Sequence, residues 1–195
     1  MISAKGQATL GASTATFARM VSPDSSPRHP LRVAVAGTGF IGRVQIGSAR
    51  KAGAEVVAVA ASSPERSREA AAALSVAIGV DQASDLLSLD IDVLHIATPN
   101  HLHAELARDA LKRGIHIVLE KPVAMDVTEA RSIRDLAAEN GLPASVPFVY
   151  RFYPTGRHAR ALAASGAPGD SRLLPARYLP HGPRGQNAST RTVCA

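Results

Sequence analysis

Leu31-Arg-Val-Ala-Val-Ala-Gly37-Thr38-Gly39-Phe40-Ile41-Gly42 is the stretch that decides how this chain folds. Leu31 to Ala36 is a short apolar run, as expected of a strand buried on both faces of a parallel sheet. It leads directly into Gly-x-Gly-x-x-Gly, and a helical stretch follows from Ile41 to Ala52. In a dinucleotide site each glycine has a physical task. Gly37 makes the tight turn, Gly39 lets the backbone approach a pyrophosphate, and Gly42 lets the helix pack closely on the strand. The first turn of the helix offers free N–H groups and the positive end of the helix dipole to the phosphates. Gly37, Thr38, Gly39, Phe40, Ile41 and Gly42 are therefore the candidate cofactor cradle. A bland glycine-rich turn is the alternative.

The chain has 195 residues, enough for one ordinary domain with a real core and short for two. A hydrophobic content of 46% fits a globular protein, and no apolar run approaches the ~20 residues of a membrane helix. The single cysteine, Cys194, excludes an internal disulfide framework and fits a reducing cytoplasm. The net charge of +6 raises the question of nucleic acid. Residues 31–154, however, carry 13 basic and 14 acidic side chains, so the excess belongs to the two ends. Those ends lack the aromatic interleaving that base stacking needs, so neither a nucleic acid nor a membrane is the expected partner. Residues 1–30, rich in Ser, Thr, Ala and Pro, read as a disordered extension, with Met20 as an alternative start.

Outward from the glycine loop, strands and helices alternate. Glu55–Ala60 reads as strand two, and Ser63-Pro64-Glu65 opens an alanine-rich helix running to about Ser75. Ile78–Val80 fits a short strand, with a short helix near Ser84–Ser88. Ile91–Ala97 is a buried strand, followed by a helix whose apolar face is Leu102, Leu106, Ala110 and Leu111 and which Gly114 stops. Ile115–Leu119 is the next strand. Asp126 and Thr128 compete to cap a helix that ends at Asn140-Gly141. Ala144–Tyr150 is read as a further strand and Pro154–Ser165 as a last helix. Repeated βα units of this length imply an α/β fold with a doubly wound parallel sheet (a Rossmann architecture) over residues 31–168. Right-handed crossovers then gather the loops after each strand at one edge, including Ala61–Ser63, Thr98–His103, Glu120–Pro122 and Tyr150–Tyr153.

At position 61 an NAD site places the acid that accepts the ribose 2′-hydroxyl. This chain has Ala61, then Ser62, Ser63, Arg66 and Arg68. With no carboxylate to repel a 2′-phosphate, and with hydroxyls and a guanidinium in reach, NADP is favoured over NAD. Alternatively Ser63 is only a helix cap and the arginines are solvated. In Thr98-Pro99-Asn100-His101-Leu102-His103, Pro99 stiffens the loop and Asn100 can cap the next helix; His103 is either structural or a site residue. His95 and His116 lie inside strands and read as core or sheet-face histidines. In Glu120-Lys121-Pro122 a lysine closes an apolar strand, where burial and neighbours can tune it, or it is a surface lysine in an ion pair.

Taken in order, the glycine loop, Asp92-Val-Leu-His-Ile-Ala-Thr-Pro-Asn-His-Leu-His103, Glu120-Lys-Pro122 and Val149-Tyr-Arg-Phe-Tyr-Pro154 resemble the N-terminal half of the Gfo/Idh/MocA oxidoreductases. The resemblance covers about residues 31–170. It implies hydride transfer between NAD(P) and a hydroxyl-bearing carbon of a sugar, inositol or related polyol. It also implies roles for residues. Gly37, Gly39 and Gly42 hold the pyrophosphate, while Thr98, Pro99, Asn100 and His103 flank ribose and nicotinamide. Glu120, Lys121 and Pro122 follow, with Lys121 the catalytic candidate touching nicotinamide ribose and substrate hydroxyl. Arg151 falls beside the nicotinamide pocket, with a domain-interface ion pair as its alternative. No metal is implied.

Members of that family continue into a second α+β domain that covers the nicotinamide. Residues 169–195 here end in a breaker-rich tail, which reads as a truncated or frameshifted remnant of it. Two readings of function follow: an oxidoreductase that retains its coenzyme-binding part, or a non-catalytic nucleotide-binding or redox-sensing module.

Overall fold

The computed structural model describes residues 29–167 and Gly169. The expectations for the rest of the two tails, Met20 and Cys194 included, lie outside the described residues. Chain contacts divide the molecule into two compact units, Met1–Pro147 and Phe148–Ala195.

The first unit is built on β1 (Arg32–Ala36), α1 (Phe40–Lys51), β2 (Glu55–Ala60), α2 (Pro64–Ala73), β3 (Ile78–Val80), β4 (Val93–Ile96), α3 (His103–Lys112), β5 (His116–Leu119), α4 (Val127–Glu139) and β6 (Ala144–Ser145). Two short 3₁₀ helices, Ala83–Ser88 and Asn100–Leu102, complete it. All strands pair in parallel, in the order β3-β2-β1-β4-β5-β6. The order reverses between β1 and β4, and a ligand crevice opens at such a switch point, beyond the strand C-termini. The doubly wound sheet expected from the βα alternation is thus the sheet observed.

The core follows from the strand sequences. Val33, Ala34, Val35 and Ala36 are all at most 2% exposed, which accounts for a run with no polar alternation. On one face Ala34, Ala36, Ala58 and Ala60 join Leu94, Ile96, Ile117 and Leu119 under α3 and α4. On the other, Val33, Val35, Val56 and Val59 pack beneath Ile46 and Ala49 of α1 and Ala71 of α2. The register of β1 and β2 slips by one residue between Val33 and Ala34. Val57 is the extra residue of this bulge, and beyond it Ala58 and Ala60 join the cluster that holds Leu86 and Leu87 of the Ala83–Ser88 segment.

Caps follow the local sequence. The Ser63 hydroxyl accepts from the Arg66 N–H at the start of α2, and the Asp126 carboxylate accepts from the Glu129 N–H at the start of α4. Asp126, rather than Thr128, therefore caps that helix. Gly53 follows the first helix with φ of 86°, just after its C-cap Ala52.

The short helix expected near Ser84–Ser88 is present as the 3₁₀ helix Ala83–Ser88. One local expectation is corrected. The strand expected over Ala144–Tyr150 is only Ala144–Ser145. Pro143 and Pro147 bracket it, and neither has an N–H to give a ladder, so pairing with β5 stops after two residues.

The second unit begins with the 3₁₀ turn Val149–Phe152 and continues as α5 (Pro154–Ala164), with Pro154 in its first turn. The rings of Tyr150 and Tyr153 meet edge to face with centroids 5.4 Å apart. Among the described residues no helix is long and apolar enough to cross a membrane.

Candidate dinucleotide site

A cleft of about 1000 Å³ opens at the strand C-termini over the switch point. It brings together residues far apart in sequence. Gly37, Thr38 and Gly39 come from the loop after β1, Ser62 and Arg66 from the β2–α2 junction, and Thr98 and Pro99 from the loop after β4. The Gly37 N–H donates to the Ala60 carbonyl at 2.8 Å, which ties the first two loops together.

The three glycines are needed for different reasons. Gly37 has φ of 97°, and a Cβ there would run into the backbone of Ala97 and Thr98. A Cβ at Gly42 would run into the Gly37 carbonyl, as expected where a helix packs tightly on the turn before it. Gly39 differs: nothing lies within 4 Å of the position its Cβ would take. Its missing side chain leaves open space at the mouth of the cleft.

Gly39 is also the N-cap of α1, and no side chain caps that end. The first turn carries no acidic residue. Its N–H groups, those of Phe40, Ile41 and Gly42, are thus available to an anion. The Phe40 and Ile41 side chains turn outward, at 80% and 40% exposure, so these residues reach a ligand through the backbone.

At the β2–α2 junction, Arg66 donates to the Ser62 hydroxyl at 3.1 Å. Both line the cleft, so the guanidinium and the hydroxyl expected to meet a 2′-phosphate stand together. Arg68 does not line the cleft and pairs with Glu65 and with the cleft residue Asp81, at 3.1 and 3.3 Å. Two contributors escape the sequence reading. The buried Ser67 hydroxyl accepts from the Ala61 N–H at 2.8 Å and fixes the β2 loop. Arg43 lines the cleft, its Nε donating to the Thr38 carbonyl at 3.2 Å.

Across the switch point, the Thr98 hydroxyl oxygen is buried with no hydrogen-bond partner among the described residues. A buried polar atom left so beside an open cleft is placed to meet a polar ligand. Open space over Gly39, an uncapped helix end and this hydroxyl together fit a dinucleotide. Asn100 sits exposed in the turn after Pro99. His103 is 1% exposed, and its two ring nitrogens face the carbonyls of Thr98 at 2.9 Å and Pro122 at 2.8 Å. The ring N–H donates to one of the two carbonyls, so His103 ties α3 to one of these loops.

Glu120 closes β5 one strand further, its N–H donating to the Ile96 carbonyl at 2.9 Å. Its carboxylate accepts from the Lys121 N–H at 3.2 Å and from the Gln45 amide at 2.6 Å. Lys121 and Pro122 are exposed, and among the described residues Lys121 forms no ion pair. His95, a sheet-face histidine as expected, donates from Nδ1 to the Gln45 carbonyl oxygen at 2.5 Å. Burial pushes its pKa down to about 4. Arg151 lies in the second unit, exposed on its 3₁₀ turn. No cluster able to hold a metal is present among the described residues.

Sheet order, glycine cradle and cleft define a dinucleotide-binding domain. Residues 31–148 match the model of the oxidoreductase family with an NAD-binding Rossmann fold, and the chain belongs to that Gfo/Idh/MocA family. It is 32% identical over 150 residues to dTDP-3,4-didehydro-2,6-dideoxy-alpha-D-glucose 3-reductase of Streptomyces violaceoruber, covering 76% of this chain and 44% of that one. It is 32% identical over 112 residues to D-xylose 1-dehydrogenase (NADP(+)) 2 of Haloferax volcanii, covering 57% of this chain and 34% of that one. Among solved structures, levoglucosan dehydrogenase in complex with NADH and levoglucosan matches with a TM-score of 0.67 and 30% identity, over 72% of this chain and 41% of that one. The chain thus spans less than half the length of these relatives.

Proposed function

We propose that this chain supplies the coenzyme-binding part of an NAD(P)-dependent oxidoreductase acting at a hydroxyl-bearing carbon of a sugar, inositol or related polyol, with NADP(H) preferred. A cytoplasmic setting goes with this reading. The observation that carries it is the uncapped N-terminus of α1 beneath the open space at Gly39. The first-turn N–H groups hold the pyrophosphate, and Ser62 with Arg66 hold a ribose 2′-phosphate. The Thr98 hydroxyl, stiffened in its loop by Pro99, supports the ribose nearer the nicotinamide, with Asn100 at the rim. Glu120 and Pro122 shape the turn that presents Lys121. Bound coenzyme supplies the hydride acceptor or donor. Lys121 Nζ hydrogen-bonds the reacting hydroxyl and assists its proton transfer. The names of the relatives, with NADP in one and NADH and levoglucosan in another, support the coenzyme class and the substrate class.

Fluorescence titration of the purified chain with NADPH and NADH, followed by turnover on a polyol panel, tests this. Tighter binding of NADPH is expected. Arg66→Ala should weaken NADPH about tenfold and leave NADH nearly unchanged. Binding without turnover would favour the non-catalytic, redox-sensing reading. Binding of neither coenzyme would refute both.

A further inference from the structure

A chain of hydrogen bonds that the coenzyme contacts do not require runs from His95 through the buried Gln45 to Glu120. Gln45, on α1, is 6% exposed. Its carbonyl oxygen accepts from His95 Nδ1 on β4, and its amide donates to Glu120 Oε1 at the end of β5. The other Glu120 oxygen accepts from the Lys121 N–H. We propose that Gln45 is a positioning residue for Lys121: it holds the Glu120 carboxylate, which holds the Lys121 backbone, and so fixes the lysine turn relative to the phosphate-binding helix.

The direction of each bond is determined by its partners. A carboxylate only accepts, so the Gln45 NH₂ must face Glu120, and the Gln45 oxygen is left for the imidazole N–H. The reverse amide orientation would set oxygen against oxygen. Burial keeps the His95 ring neutral at neutral pH, so its one proton stands on Nδ1, facing Gln45. A residue needed only to fill space in this core would be apolar, because burying an amide is worthwhile only when its bonds are made. Gln45 lies one helical turn beyond Gly42, so the helix that carries the anion site also carries the brace for the lysine turn. At the start of α3, His103 Nδ1 lies 2.8 Å from the Pro122 carbonyl, next to the same turn.

This inference rests on the coenzyme reading above, and its test separates the two. The probes are NADPH, NADH and adenosine 2′,5′-bisphosphate, which has the adenosine phosphates but no nicotinamide. In Gln45→Met the better-bound coenzyme should weaken about five- to tenfold, while the adenosine fragment stays within about twofold of wild type. In a Glu120→Ala background Gln45→Met should add no further loss, since its effect passes through Glu120. Equal weakening of coenzyme and fragment would mean a general structural role and overturn the proposal. Unchanged coenzyme binding by Gln45→Met, or a full additive loss in the double variant, would also overturn it. Wild-type protein that binds neither coenzyme would sink the coenzyme reading itself, and this inference with it.

Discussion

Gly39 and Gly42 belong to one motif, yet the structure assigns them opposite sensitivities. Gly42→Ala drives a methyl into the Gly37 carbonyl, so it should destabilise the fold by about 1–3 kcal/mol in denaturant unfolding. Gly39→Ala meets no atom, and its φ of −65° suits alanine. Its stability should stay within about 0.5 kcal/mol of wild type, with coenzyme affinity falling about tenfold because the methyl occupies the phosphate's space. His95 makes a prediction in pH. Its pKa is held at about 4 when folded, against 6.5 for the free side chain. Between those values the unfolded chain takes up a proton that the folded chain refuses, so this contribution to stability is full above pH 6.5 and is lost as pH falls towards 4. The loss amounts to about 3 kcal/mol. His95→Asn keeps a donor for Gln45 and removes the titration, so its unfolding free energy should fall less steeply across that window. Identical slopes would contradict the buried, neutral ring.

At the scale of elements, local chemistry decided most boundaries and could be read directly. Ser63-Pro64-Glu65 and Asp126 state a helix start in their own side chains, and the structure makes both capping bonds. Asp126→Ala should cost about 1 kcal/mol, read as a lowered urea midpoint with an unchanged m-value. The reading failed at Ala144–Tyr150, where an apolar run looked like a strand. Apolar character reports burial, but pairing needs N–H groups, and between Pro143 and Pro147 only Ala144 and Ser145 pair with β5. Ser67 was missed for a different reason. Within α2 a serine is unremarkable by sequence, and only the fold brings its hydroxyl to the Ala61 N–H. Gln45 was hidden in the same way, since its partners lie 50 and 75 residues further along the chain.

For the molecule as a whole, the parallel sheet was legible because βα alternation has few solutions once crossovers are right-handed. The placement of loops after β1, β2 and β4 around one crevice followed from that alone. What did not follow was which side chains face into it. Arg66 and Arg68 are equivalent in sequence, yet one lines the cleft and the other is held in ion pairs with Glu65 and Asp81. The most direct test of the site is an amide chemical-shift map of the ¹⁵N-labelled chain titrated with NADPH. The largest shifts should fall on Gly37, Gly39, Phe40, Ala61, Ser62 and Thr98, with the amides of α4 unmoved. Shifts centred on α4 and β6, or none at saturating NADPH, would contradict a dinucleotide seated over the glycine loop.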